Sequence, residues 1–246
     1  TFMQNLRFFI GYQCNHMYWR YFMWNFVGRQ NDIQGHGELQ NGNWVSGISF
    51  IDNARLGNQD NLPKSMTNSG HTEFYFLPLI LGLVGLFYHI KRDAKNSWVT
   101  FLLFFMTGLA IVIYLNQTPY QPRERDYAYA GSFYAFCIWI GVGVMAVAEL
   151  LEKVMKNKMA VAVVAFILCL SVPTVMAASG WEGHNRSDKT SALDWGKNYL
   201  KNLPENAVIF TRGDNDTFPL WYVQEVEGYR TDVRVCNYML SSGYWY

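Results

Sequence analysis

The 246-residue sequence predicts an α-helical polytopic membrane protein, with four transmembrane helices and a C-terminal extracytoplasmic α/β segment. Three observations carry that prediction. Mean hydropathy is near zero, yet the apolar residues are gathered into four long runs. The two short connections inside the run pairs are rich in lysine. Beyond the fourth run the pattern changes to short apolar strands and amphipathic helices. A net charge of +1 creates no global field, and no Lys/Arg tract is present, so nucleic acid is not an expected partner.

The organisation read from the chain is residues 1–73, 74–178 and 179–246. Met3 to Val27 is dense in aromatics, with Arg7, Asn15, His16, Arg20 and Asn25 spread through it. It is too polar to span a bilayer. At helical spacing Leu6, Phe9, Ile10, Met17, Tyr21 and Trp24 share one face. The expectation is a helix at the membrane surface, serving as an anchor or as an aromatic groove for a lipid or sugar. Gly28 to His71 then turns to Gly, Asn, Asp, Gln and Ser, as in Gly35-His36-Gly37 and Gly57-Asn58-Gln59-Asp60-Asn61. This reads as a long extracytoplasmic loop, a length usually tied to function or disorder. His36 and His71 have no neighbours at metal-ligand spacing.

The expected spans are Phe74–Ile90, Trp98–Leu115, Ser132–Leu151 and Met159–Ala178. A bilayer core of about 30 Å needs about 20 helical residues. Lys91, Arg92 and Lys95 join the first pair, and Lys153, Lys156 and Lys158 the second. By the positive-inside bias both joints are cytoplasmic. The connection between the second and third spans then faces the other way, with both ends of the chain. That connection is Pro119-Tyr120-Gln121-Pro122-Arg123-Glu124-Arg125-Asp126-Tyr127. Arg123 and Arg125 lie two apart, so an extended loop would aim both guanidinium forks one way, at a lipid phosphate. The structural reading competes: Arg123–Glu124 and Arg125–Asp126 satisfy one another in solvent.

In the last segment, Ser191 to Asn202 reads as an amphipathic helix closed by Pro204. Ala207-Val208-Ile209-Phe210 reads as a strand. A helix follows with Thr217 as N-cap and Pro219 in its first turn, and Asp232 to Cys236 is a second strand. Together they form a β-α-β unit with parallel strands. The loop between, Thr211-Arg212-Gly213-Asp214-Asn215-Asp216, lies beyond the carboxyl end of the first strand, where such sheets bind ligands. Asp214 and Asp216 are expected to converge there. They would shape the turn, bind acceptor hydroxyls with Arg212, or, as a D-x-D, hold a divalent cation. No metal site is expected elsewhere. Cys14, Cys137, Cys169 and Cys236 show no C-x-x-C spacing and read as small buried hydrophobes, with a Cys14–Cys236 disulfide as the alternative.

The runs Asn15-His16-Met17-Tyr18-Trp19-Arg20-Tyr21-Phe22-Met23-Trp24-Asn25-Phe26, Gly28-Arg29-Gln30-Asn31-Asp32, Gln34-Gly35-His36-Gly37, Arg123-Glu124-Arg125-Asp126-Tyr127 and Gly213-Asp214-Asn215-Asp216-Thr217-Phe218-Pro219-Leu220-Trp221-Tyr222 carry a resemblance. The chain resembles a family of large multi-spanning inner-membrane proteins of Gram-negative bacteria. That family is grouped with the protein O-mannosyltransferase-like, GT-C type membrane glycosyltransferases. The resemblance implies a polyprenyl-phosphate sugar as donor and a protein or glycan acceptor outside the cytoplasm. It also implies a catalytic acid in a loop ahead of Thr1, so no residue here matches the base.

The chain opens at Thr1 and closes on Gly243-Tyr244-Trp245-Tyr246, and is expected to be a piece of a longer polypeptide. The resulting expectation is an inner-membrane, multi-pass glycosyltransferase-like protein in contact with membrane lipid, both ends periplasmic. Arg123 and Arg125 would hold donor phosphate. Asp126, Arg212, Asp214 and Asp216 would meet acceptor or substrate. The rivals are a non-catalytic component of an envelope complex and a transporter. The latter is disfavoured because the spans carry almost no ionisable groups at mid-depth.

Overall fold

The computed structural model describes residues 1–59, 61–119 and 125–246. The chain divides into two compact units, Thr1–His184 and Asn185–Tyr246.

The first unit opens with a helix in three parts: α1 (Phe2–Arg7), a π-helix (Phe8–Trp19) and α2 (Arg20–Phe26). The wider π turn breaks the 3.6-residue period used to choose its apolar face. The buried set is therefore Gln13, Met17, Tyr18, Arg20, Tyr21, Phe22, Met23, Phe26 and Val27, and Leu6 and Ile10 stay exposed. From Met17 on, this segment packs into the largest apolar cluster with Phe133, Phe136 and Trp139, rather than lying on a surface. Tyr18 Oη and Ser132 Oγ, 2.5 Å apart in the interior, tie the helix to the bundle.

The Gly/Asn-rich segment is organised by its polar side chains. Strands β1 (Gly28–Arg29) and β2 (Thr72–Glu73) pair antiparallel, Gly28 opposite Glu73. The Asn43 side-chain amide donates to Gln30 Oε1 (2.9 Å) and to the Glu38 carbonyl (2.9 Å). Asn31 Oδ1 accepts from Gly42 N (3.0 Å). Helix α3 (Ser49–Leu56) carries Asp52, a buried carboxylate that accepts from Ser46 N, Ser46 Oγ and Gly47 N. Buried polar groups must be paired, and here short amide and carboxylate side chains pair the backbone.

Helix α4 (Leu77–Arg92) packs along α7 (Ala130–Glu152), with α5 (Ala94–Met106), α6 (Leu109–Leu115) and α8 (Lys158–His184) around them. The close approach is made by glycines. A Cβ on Gly85 would collide with the Trp139 carbonyl oxygen, and Gly143 faces Leu81 in the same way. Three helical stretches are long and apolar enough to cross a membrane: Ala94–Leu115, Asp126–Glu152 and Lys158–His184. Only 11% of the best window in Ala94–Leu115 is buried, so its apolar surface suits lipid contact. Two differences from the expected spans have physical causes. At 16 residues α4 is about 24 Å long at 1.5 Å per residue, short of a full crossing. The second span is broken at Thr107-Gly108, where Gly108 comes against Ser132 of α7.

In the second unit α9 (Ser191–Lys201) precedes β3 (Val208–Thr211), α10 (Asp214–Glu225) and β4 (Arg234–Asn237). The strands are parallel, Val208 opposite Arg234 and Thr211 opposite Asn237. Leu200, Leu220, Val223 and Val233 form the core. Thr217 is no cap: the helix begins three residues earlier, and Gly213 holds the N-cap position. The Thr217 side chain is fully buried. It lies 2.7 Å from Thr211 Oγ1, donates to the Gly213 carbonyl (2.8 Å) and accepts from Asn237 Nδ2 (2.8 Å). All four cysteines are free, so the Cys14–Cys236 alternative falls.

Candidate functional site

Thr72 and Phe74 lead into α4, Asp126 opens the 3-10 turn that feeds α7, and Met176, Gly180 and His184 sit on the last turns of α8. These residues meet, with Trp24, Asn25 and Arg29, around a cavity of about 270 Å³ at one end of the bundle. The Lys-rich joints 91–95 and 153–158 belong to the other end by chain order.

Arg29 is the cation of this cavity. Its Nε donates to the Gly70 carbonyl (2.9 Å), and its guanidinium stands 5.3 Å from the Trp24 ring. Burial pulls its proton affinity down, and the carboxylates of Asp32 and Asp126 oppose that shift. Asp126 is thus close enough to be felt by a guanidinium that came from the segment after α2. The indole N–H of Trp24 is buried with no hydrogen-bond partner among the described residues. His184 Nδ1 is bonded to the Gly180 carbonyl (2.7 Å). A half-buried cation, a carboxylate, an imidazole and an unsatisfied donor can hold an anionic, hydroxyl-bearing ligand and exchange a proton with it.

The residues singled out in the sequence fare differently. Arg123, with Glu124, lies outside the described residues. Arg125 is half-buried; its Nε is buried without a hydrogen-bond partner among the described residues, and its carbonyl accepts from Ala128 N (3.1 Å). Asp126 lines the cavity. Arg212, Asp214 and Asp216 are exposed in the second unit. Asp214 and Asp216 do not converge. They sit two apart on the first turn of α10, which aims them to different sides, and neither side chain caps the helix. Both still favour the positive helix end electrostatically. Among the described residues no group of three or more His, Cys, Asp or Glu is placed to hold a metal ion. The sequence reading passed over His184, and used Arg29 only within a motif. The one local signal for Arg29 was a basic residue at the head of a Gly/Asn-rich stretch, three residues ahead of Asp32.

Comparison with known proteins touches the second unit. A family model described as TMEM260-associated domain 2 matches residues 192–246. No curated protein and no solved structure matches the chain.

Proposed function

We propose that the chain belongs to a membrane glycosyltransferase that moves a sugar from a polyprenyl-phosphate donor to a protein or glycan acceptor outside the cytoplasm. The observation that carries the reading is the cavity of Arg29, Asp126, His184 and Trp24, with Arg125 preceding Asp126 in the chain. It lies at the end of the bundle away from the lysine-rich joints. An acceptor oxygen attacks the anomeric carbon as the carbon–oxygen bond to phosphate breaks. The electron pair leaves with polyprenyl phosphate, and the acceptor proton passes to a carboxylate base assigned to no described residue. The role of Arg29 and Arg125 is to stabilise charge growing on the leaving oxygen, and Arg123 joins them in this reading. Asp126 orients Arg29 and accepts a sugar hydroxyl. Arg212, Asp214 and Asp216 are proposed as an acceptor-binding surface of the second unit by itself. The match of residues 192–246 to a domain that accompanies TMEM260 is compatible with this assignment. The topology that goes with it is a bacterial inner-membrane protein with α4 as a fourth span over which the bilayer is locally thinned, and both ends periplasmic.

The test is the double variant Arg123→Ala with Arg125→Ala in the full-length protein. Transfer from labelled donor is lost while membrane insertion stays intact. Normal transfer in that variant removes the arginines from the mechanism. A second reading, a non-catalytic component of an envelope complex, is favoured by the bare face of β3, where Val208 and Phe210 are 59% and 68% exposed. It predicts that no variant of the cavity changes sugar transfer.

A further inference from the structure

At the end of the bundle away from the Arg29 cavity, the connection between α4 and α5 and the connection between α7 and α8 come together in space. Arg92, the last residue of α4, donates to Glu149 near the end of α7 (2.6 Å). Asp93 caps α5, its carboxylate accepting from Asn96 N (3.1 Å). Asn157 does the same for α8, accepting from Met159 N (3.0 Å) and Ala160 N (3.2 Å). The two short connections are therefore built turns that hold their side chains at one level.

Five exposed lysines stand on these turns: Lys91, Lys95, Lys153, Lys156 and Lys158. With Arg92 they make six cations over residues 91–95 and 149–158, against three carboxylates, Asp93, Glu149 and Glu152. The excess is positive even with all three carboxylates charged. Nothing else nearby cancels it. Helices α4 and α5 carry no Asp or Glu, and the one such residue of α8, Glu182, lies at its opposite end.

The cations sit among bare apolar side chains. Leu150 is 63%, Val154 84% and Trp98 59% exposed. Each of the three helical stretches able to cross a membrane, Ala94–Leu115, Asp126–Glu152 and Lys158–His184, has one terminus here. That places the patch at head-group level, where apolar side chains meet the acyl boundary and lysine stems carry their ammonium groups to phosphates. The sign of the excess selects the lipid. A zwitterionic head group has no net charge to attract, whereas an anionic one is drawn by each lysine within a screening length.

We propose that this end of the bundle is a docking surface for the head groups of anionic phospholipids in the surrounding bilayer, carried by Lys91, Lys95, Lys153, Lys156 and Lys158. Bare leucine, valine and tryptophan beside the lysines favour lipid over a soluble acidic partner. The surface is separate from the Arg29 cavity and stands whether or not sugar transfer is the activity.

The test places the full-length protein in phosphatidylcholine bilayers holding a trace of lipid spin-labelled on its acyl chain. Electron spin resonance then compares how much phosphatidylglycerol and how much phosphatidylcholine is held at the protein surface. Phosphatidylglycerol is preferred about threefold or more. The preference falls to about one in about 1 M sodium chloride, where the screening length is about 3 Å. It falls likewise in the triple variant Lys153→Gln, Lys156→Gln and Lys158→Gln, which removes the positive excess, and it survives when the same three lysines become arginine. The salt arm uses wild type alone and decides the matter if the glutamine variant does not insert. Equal retention of the two lipids by wild type, as a soluble acidic partner would give, overturns the proposal. So does a preference undiminished by salt or by the three glutamines.

Discussion

Thr217 shows how a single residue can be placed correctly in a sequence and given the wrong task. A hydroxyl two residues ahead of a proline, at the start of an apolar run, has the pattern of an N-cap. The same hydroxyl is instead the hub joining β3, α10 and β4 through Thr211 and Asn237. Nothing local distinguishes a Thr at the cap from one a turn further in. Thr217→Val keeps the shape but takes the acceptor from the buried Asn237 amide and leaves the Thr211 hydroxyl with only its long bond to the Cys236 carbonyl (3.5 Å). It should cost about 1–3 kcal/mol, measured by denaturant unfolding of the second unit's near-ultraviolet signal. An unchanged midpoint would show that water replaces the lost bonds. His16 carries a second residue-scale prediction. Its folded pKa lies below the unfolded value, near 4 against 6.5, so the unfolded chain binds the extra proton. Stability is fully present above about pH 6.5 and falls as pH drops toward 4. His16→Gln should flatten that acid limb in a thermal-shift series, and an identical limb would place the sensitivity elsewhere. Arg29 and Asp126 were not readable as partners, because 97 positions of chain separate 29 from 126 and only folding joins them.

At the scale of elements, type and position were readable where pattern alone decides. The amphipathic α9 and the apolar β3 and β4 appear where their periods put them, and the strands pair in parallel. Readability failed where the backbone left the standard period. The π-helix over Phe8–Trp19 moved Tyr18 and Phe22 into the core and left Leu6 and Ile10 outside. The break at Thr107-Gly108 was invisible because a glycine in an apolar run reads equally as a packing point or a hinge. The α4–α7 contact rests on glycine. Gly85→Ala places a methyl against the backbone carbonyl of Trp139, which cannot move aside as a side chain could. The variant should lose about 1–3 kcal/mol, seen as a lower thermal midpoint in detergent. A neutral result would mean that α4 and α7 separate without cost.

At the scale of the whole molecule, the gathering of apolar residues into runs made a membrane protein legible, and three helices bear it out. The number of crossings turns on α4. If α4 spans, Lys64 and Lys95 lie on opposite sides of the membrane; if it does not, they share one side. With single cysteines at Lys64→Cys and Lys95→Cys in a cysteine-free background, an impermeant maleimide should label only one of the two in right-side-out vesicles and only the other in inverted vesicles. Labelling from one face refutes the fourth span. The charged loop drew attention to Asp126 as a substrate-binding residue, and folding sets that residue on the wall of the cavity that Arg29 lines. The central claim is that the cavity of Arg29 and Asp126 serves a polyprenyl-phosphate sugar. It is tested most directly by supplying labelled donor to the full-length protein in nanodiscs and measuring release of polyprenyl phosphate. Wild type should release polyprenyl phosphate, and release should fall about tenfold or more in Arg29→Gln, the loss of one charge-assisted contact to the leaving group. No release above a protein-free control, or equal release by the variant, would contradict it.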